Sequence, residues 1–137
     1  MIGGNTANSE YEFLTGNTMA FLPAGMVSYQ VYTAPGDYSL TGQLNRYGYK
    51  TIAMHPYERG GWNRVQVYGN YGFSEMHFID EFKNKQYVRN YVSDRSNYNE
   101  LIRRFDEFRA QDAETPLFFL NVTMQNHGGY RQTWDRL

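Results

Sequence analysis

The sequence contains no cysteine. That absence excludes a disulfide framework, a thiolate metal site and a cysteine nucleophile together. No apolar run approaches the roughly 18 residues needed to span a bilayer, and the first residues show no secretory leader pattern. Neither sign of charge is in excess: 13 Lys and Arg face 14 Asp and Glu, for a net charge of -1. That balance argues against non-specific binding to nucleic acid. Repeats and low-complexity tracts are also missing. What remains is a globular composition, 41% hydrophobic over 137 residues, enough for one domain with a real core. Aromatic residues are abundant, with 13 Tyr and 9 Phe. They suit a core plus a tyrosine-rich surface. They also suit a surface that meets carbohydrate or lipid, where tyrosine offers an apolar face and a polar tip.

Helix-like and strand-like stretches alternate, which predicts an α/β layer architecture. A short helix is expected over residues 8–14, just after Thr6. Residues 15–36, with Gly16, Pro23, Gly25, Pro35 and Gly36, read mostly as loop. Asp37 or Ser39 is placed to cap a helix running to about Tyr47, with Leu40, Leu44 and Tyr47 on one face and Gly48 ending it. Residues 51–54 form a short buried strand that delivers His55 at its end. A helix is expected over residues 62–68, ended by Gly69, and residues 73–79 include a short strand. The clearest periodicity is at residues 97–110. There Tyr98, Leu101, Ile102, Phe105 and Phe108 share one helix face, and Asn97 with Glu100 has capping-box spacing. Residues 117–123 read as a fully buried strand, with His127 just beyond it. Two histidines thus follow two strands. In open α/β sheets, ligands bind outside the carboxyl ends of the strands.

Several side chains carry candidate chemistry. Thr6 follows Gly3, Gly4 and Asn5 and opens a helix. It reads as a helix cap or as a hydroxyl nucleophile, which needs a base or a metal to activate it; a helix N-terminus would also favour an incoming phosphate. His55 and His127 read as satisfied loop histidines or as ligands of a shared site. His77, among Met76, Phe78 and Ile79, reads as structural. Trp62-Asn63-Arg64 can simply start a helix, yet Arg64 offers a planar charged fork suited to phosphate and Trp62 a surface for a small polyol.

Gly4-Asn5-Thr6-Ala7-Asn8-Ser9-Glu10, Gly48-Tyr49-Lys50, His55 with Trp62-Asn63-Arg64, and Thr123-Met124-Gln125-Asn126-His127 occur in an order and spacing that resembles the extracellular catalytic domain of the lipoteichoic acid synthase family. These are phosphoglycerol transferases of the alkaline phosphatase and sulfatase superfamily. The resemblance implies a three-layer alkaline phosphatase-like α/β fold, with residues 1–137 forming one partial catalytic domain built on a mostly parallel sheet and flanking helices. It implies that Thr6 is both nucleophile and metal ligand, that His55, Trp62 and Arg64 line the glycerol phosphate pocket, and that His127 contacts the phosphate. The sulfatases of the superfamily use a modified Cys or Ser in a Cys/Ser-x-Pro-x-Arg motif. No such motif stands at Thr6, so sulfate ester hydrolysis is not expected.

The same resemblance implies a longer parent with membrane helices, acting at the extracellular face of the bacterial cytoplasmic membrane. Met1 before Ile2-Gly3-Gly4 reads as a start placed on an internal piece. The parent is expected to move glycerophosphate from phosphatidylglycerol to a polyol-phosphate or glycan acceptor, with Mn²⁺ or Mg²⁺. The Glu and the Asp-His pair that complete the family's metal site have no counterpart here, so this span alone is expected to bind metal weakly, to be inactive and to self-associate. Two alternatives stay open. One is phosphoethanolamine transfer or phosphodiester hydrolysis at the same site. The other is a non-catalytic domain that binds glycan or teichoic acid. Loss of the Arg64 side chain is expected to weaken transfer while leaving the fold intact.

Overall fold

A computed structural model of the protein describes residues 5–128; Gly3 and Gly4, the glycines ahead of Thr6, lie outside them. Helix α1 (Thr6–Thr15) opens the described chain and ends at Gly16 in the left-handed conformation. The predicted loop that follows holds a single 3-10 turn at Met19–Phe21 and the one-turn helix α2 (Ser28–Val31). Then come α3 (Leu40–Arg46), β1 (Lys50–His55), a 3-10 turn at Gly61–Asn63, α4 (Arg64–Tyr71) and β2 (Glu75–Phe78). The hairpin strands β3 (Tyr87–Val88) and β4 (Tyr91–Val92), the long α5 (Asp94–Gln111) and β5 (Leu117–Asn121) complete the order.

The main sheet has the order β2-β1-β5. Its strands are parallel. Lys50 N–H bonds to Pro116 and Val122 N–H to Met54, so β1 and β5 advance together, and the Ser74–Thr51 and Ile79–Tyr57 bonds fix the same sense for β2. Central β1 is buried along nearly its whole length, as a parallel strand covered on both faces must be. This is the α/β fold that the alternating pattern predicted, with helices flanking a parallel sheet.

The chain gathers into two compact units. The first holds residues up to Ala53 with Arg59–Met76 and Thr115–Leu120; the second holds Met54–Glu58, His77–Glu114 and residues from Asn121 onward. In the first, Tyr29 meets Tyr68 and Tyr71 edge-on at 6.3 and 6.2 Å between ring centroids, a geometry that suits the ring quadrupoles. The α3 cap is Ser39, whose hydroxyl accepts from Gly42 N–H. The buried face of α3 is not the expected Leu40–Leu44–Tyr47 stripe. Tyr47 is exposed, whereas Ser39 and Thr41 are buried and both donate to the Tyr71 carbonyl. That carbonyl lies at the end of α4, where the last oxygens of a helix need outside donors. The α4 helix runs past Gly69 and ends instead at Gly72, whose φ of 83° is accessible to glycine without strain.

In the second unit, α5 starts earlier than its apolar period indicates. Ser93 is the cap, accepting from Ser96 N–H, and Asn97 with Glu100 is inside the helix. The expected core face is also turned: Tyr98, Ile102 and Phe105 are exposed, and Ser96, Asn97 and Glu100 are buried. Glu100 is paired on this inner face with Arg103 and Arg104. Burial acts to raise its pKa, but hydrogen bonds from Arg103 and the Lys83 amide, with the charges of Arg104 and Arg103, hold the carboxyl below its usual value. The expectation of a fully buried β5 also fails. Every one of its residues is half-buried, because the strand lies at an edge of the sheet among the described residues.

An unpaired strand edge and an apolar helix face are the features that drive chains together. Residues 1–137 should therefore sediment as concentration-dependent dimers or larger species. Ile102→Glu combined with Phe105→Glu should shift them toward monomer. A wild-type monomer over a wide concentration range, with no dye-detected apolar surface, would show that these faces are already satisfied.

Candidate active site

Thr6, Trp62 and Arg64 belong to the first unit. Thr6 is the first residue of α1 and is exposed. The cap position before it is taken by Asn5, whose side chain makes no capping bond and whose backbone has φ 61° and ψ 138°. A non-glycine residue with positive φ is uncommon and strained. The consequence is local: the hydroxyl of Thr6 stands at the exposed start of a helix. A cleft of about 340 Å³ flanks this end of α1, lined by Asn5 and Asn8 with Met19, Leu22, Pro23 and Met26 among others. Asn8 braces its far wall. Its Oδ1 accepts from Ser28 N–H at 3.0 Å and from the Ser28 hydroxyl at 2.9 Å, and its Nδ2 donates to the Met26 carbonyl.

Trp62 is 41% exposed, and with φ values of 56° and 57° both Trp62 and Asn63 are in left-handed backbone. For a side chain as bulky as tryptophan this is a genuine outlier. The two residues form the kinked lead-in to α4 and leave the indole outside.

Arg64 lies inside. It is 2% exposed. Its Nη2 donates to Glu10 Oε1 at 3.1 Å and its Nε to the Tyr68 hydroxyl at 3.2 Å, while that hydroxyl donates to Glu10 Oε2 at 2.8 Å. Glu10 is the residue one turn beyond Thr6 on the same helix, so the α1 that carries Thr6 is tied directly to the start of α4. Burial pushes the Glu10 carboxyl above the usual carboxylate range, outweighing the Arg64 charge and the hydrogen bonds from Tyr68 and Arg64. The Tyr68 hydroxyl is driven far up, first by burial and then by the Glu10 charge. Sequence reasoning missed Glu10 and Tyr68. Two i,i+4 spacings, Thr6 to Glu10 and Arg64 to Tyr68, were the available signals. The expectation that Arg64 can be removed with the fold intact is corrected by this burial, because its loss would strand the Glu10 charge.

His55 and His127 belong to the second unit. His55 is the last residue of β1 and is buried. Its Nδ1 lies 2.9 Å from the Val122 carbonyl, just past β5. His127 follows β5 by a short loop, is exposed, and lies with its Nδ1 3.3 Å from the Tyr91 hydroxyl. The two histidines thus follow adjacent parallel strands, as the strand-then-histidine pattern predicted. Between them run two tyrosine rings. His55 to Tyr57, Tyr57 to Tyr91 and Tyr91 to His127 have centroid separations of 6.1, 6.4 and 5.4 Å. His77 makes a 2.7 Å contact with Glu81 one turn on, which fits its structural reading.

The donor set does not fit a hard divalent metal by itself. Among the described residues no group of three or more His, Asp or Glu side chains could hold a metal ion. Thr6 alone supplies one hydroxyl, where Mn²⁺ or Mg²⁺ takes several oxygen or imidazole ligands. No helix among the described residues is long and apolar enough to cross a membrane.

This frame is that of the alkaline phosphatase-like α/β enzymes. The chain superposes on the lipoteichoic acid synthase LtaP of Listeria monocytogenes with a TM-score of 0.77 at 21% identity, covering 90% of this chain and 29% of that one. A protein in the alkaline phosphatase superfamily from Vibrio parahaemolyticus gives 0.72 at 22% identity over 88% of this chain and 29% of its own. The Streptococcus pyogenes phosphoglycerol transferase GacH, in complex with sn-glycerol-1-phosphate, gives 0.71 at 30% identity over 91% of this chain and 32% of its own. The sulfatase family model matches residues 1–135, and the chain belongs to that family. It is also 40% identical to a candidate cyclic beta-1,2-glucan modification protein of Rhizobium meliloti (strain 1021) over 128 residues, which are 93% of this chain and 19% of that protein. The chain therefore spans about a fifth of that curated relative and under a third of each structure.

The buried pair generates a stability test. Arg64→Ala should cost about 3–5 kcal/mol, the usual penalty for stranding a buried charge, read as a lowered denaturant midpoint. Glu10→Leu with Arg64→Met should recover most of that loss. Because the folded carboxyl holds its proton more tightly than the unfolded one, the wild type should lose stability relative to Glu10→Gln as pH rises above the ordinary carboxylate range. Equal midpoints for Arg64→Ala and wild type would refute the buried pairing.

Proposed function

We propose that the full-length protein is a phosphoglycerol transferase that moves glycerophosphate from phosphatidylglycerol to a glycan acceptor through Thr6. The observation that carries this reading is the placement of Thr6. It is an exposed hydroxyl on the first residue of α1, behind strained Asn5, on a helix locked to Arg64 through Glu10. The likeness to a phosphoglycerol transferase extends over 91% of the chain, and the 40% identical relative is named for glucan modification.

The step is a double displacement. The Thr6 hydroxyl loses its proton and attacks phosphorus, and the diacylglycerol oxygen leaves and takes a proton. An acceptor hydroxyl then attacks the same phosphorus, gives up its proton and returns Thr6 to the hydroxyl. The N–H groups at the start of α1 favour phosphate oxygens. Arg64 has Nε and Nη2 directed to Tyr68 and Glu10, so its contribution to phosphate falls to Nη1. The family resemblance assigns His127 to the phosphate and His55 and Trp62 to the glycerol. Such catalysis is mainly positioning and charge stabilisation.

Phosphatidylglycerol is a membrane lipid, so we place the full-length protein at the extracellular face of the bacterial cytoplasmic membrane, anchored by segments outside this span. Mn²⁺ or Mg²⁺ belongs to the same reading, with its ligands other than Thr6 also outside this span. A bound dication would lower the hydroxyl pKa.

The full-length protein, given phosphatidylglycerol vesicles, should release diacylglycerol and yield a glycerophospho-threonine at Thr6 by mass spectrometry. Thr6→Ala should abolish both, while His77→Ala turns over near the wild-type rate. Full activity in Thr6→Ala would overturn the mechanism.

A further inference from the structure

Between Glu12 and Asp37 the sequence has no Lys, Arg, His, Asp or Glu, in a chain that is 20% charged. Part of this uncharged stretch, residues 17–27, is a strap tied to α1 within the first unit. Asn8 and Glu12 lie one turn apart on the same face of α1, and each holds one end of the strap. Glu12 Oε1 accepts from Met19 N–H at 2.9 Å and from the Thr18 hydroxyl at 3.4 Å. Asn8 Nδ2 donates to the Met26 carbonyl at 3.1 Å, and Asn8 Oδ1 accepts from Ser28 N–H. Two turns stiffen the span between. Leu22 N–H bonds to the Met19 carbonyl and Met26 N–H to the Pro23 carbonyl. The second turn has Gly25 at a φ of 81°, where a type II turn calls for glycine. So fixed a strap has little freedom to fold its apolar side chains inward. Phe21 is 89% exposed, more than any other large hydrophobic side chain among the described residues. Leu22, Pro23 and Met26 line the cleft that also takes in Asn5, the residue before Thr6.

We propose that residues 17–27 dock on a lipid bilayer, with Phe21 inserted, and so bring Thr6 to the surface where the donor phosphate lies. An exposed apolar patch marks contact with protein or with membrane. Composition favours lipid. A protein interface is ordinarily rimmed by polar groups and enriched in Arg, whereas this segment is uncharged from end to end. Its polar side chains are neutral, among them Asn17, Thr18 and Gln30. Beyond it Tyr32 is 39% and Tyr38 68% exposed, and tyrosines of this kind collect where bilayer meets water. The donor's own physics points the same way. Drawing a diacyl lipid into water costs about 0.8 kcal/mol for each CH₂ exposed. Its phosphate therefore stays at the bilayer surface, and the attacking hydroxyl must travel to it. The strap shares a cleft with Asn5 and is tied to the helix that Thr6 opens, so a strap seated on lipid seats Thr6 there too. With no basic residue in the strap, the attraction is apolar and not electrostatic. The role in turnover rests on the transferase reading; the contact with lipid does not.

The test uses the full-length protein in phosphatidylglycerol vesicles, with any cysteines outside this span replaced. A spin label at Phe21→Cys should be reached by oxygen, which concentrates in the bilayer, more readily than by a water-soluble nickel chelate. A label at Lys83→Cys, on a charged and exposed surface, should show the reverse. In the transfer assay Phe21→Asp should raise the KM for vesicle-borne phosphatidylglycerol by about tenfold, the lower end of what burying a phenylalanine provides. The same variant should turn over dihexanoyl phosphatidylglycerol, dissolved below its micelle concentration, like the wild type. Phe21→Trp should match the wild type on both donors. The vesicle defect of Phe21→Asp should be the same at about 0.05 M and about 0.5 M salt, because screening acts on charges and not on apolar contact. Nickel access at position 21 equal to that at position 83 would overturn the docking surface. So would shielding of position 21 from both reagents, which would mean that protein covers the strap, or an equal loss by Phe21→Asp on both donors. A label at position 21 immersed in lipid, in a protein that forms no threonine intermediate, would keep the docking surface and remove the transferase reading.

Discussion

The Glu10–Arg64–Tyr68 contact is the constraint on which the first unit depends. A carboxylate and a guanidinium taken out of water lose hydration worth several kcal/mol each, and their attraction repays this only with good geometry and further hydrogen bonds. Here the extra bond comes from Tyr68, and the raised Glu10 pKa says that burial still dominates. An apolar pair of similar volume would recover most of the stability that breaking the contact removes. What an apolar pair would not provide is direction. Each of these three groups accepts only a narrow range of geometries, and together they fix the register of α1 against α4. Those two helices carry Thr6 at one start and the Trp62–Asn63 kink at the other. The rings of Tyr29 and Phe73 pack against Tyr68, so the polar contact sits beside an aromatic cluster.

The second unit solves a different problem. Buried polar residues line one face of α5, where Asn97 donates to Asn121 Oδ1 at 3.0 Å and so ties the helix to the end of β5. The Gln125 side chain accepts from Asp94 N–H at 2.8 Å, which occupies one of the unbonded amides at the start of α5. Both contacts restrain the segment leading to His127. With polar residues facing in, the apolar stripe of α5 faces out. The chain spans only about a fifth to a third of the proteins it resembles.

Much of this was legible in the sequence, for physical reasons. Residues 51–54 are a short apolar run between turn residues, and His55 had to emerge at its end. Thr6 was placed at a helix start by the glycines before it and the apolar spacing after it. The turned face of α5 was not legible, because periodicity identifies a helix and its stripe but not whether a partner exists for that stripe. The burial of Ser39 and Thr41 was hidden for a similar reason. Their role is to satisfy a carbonyl some thirty residues away, and nothing local reports a long-range acceptor. Arg64 shows the limit best. Its chemistry suggested an exposed phosphate fork, and only the fold reveals that Glu10 and Tyr68 hold two of its nitrogens.

Backbone strain gives an independent reading of the same positions. Among the described residues, the non-glycine positions with positive φ are Asn5, Trp62, Asn63, Asn84 and Arg89. Asparagine tolerates this region, so Asn84 in a surface turn calls for no further cause. Trp62 and Arg89 do not tolerate it well, and glycine would relieve either one. Each strained residue instead adjoins a residue that the motifs single out: Asn5 precedes Thr6, Trp62 and Asn63 precede Arg64, and Arg89 reaches His127. Local rules are broken where a fold holds a side chain in place against its own preference. Strained backbone thus adjoins Thr6 and Arg64 in the first unit and reaches His127 in the second.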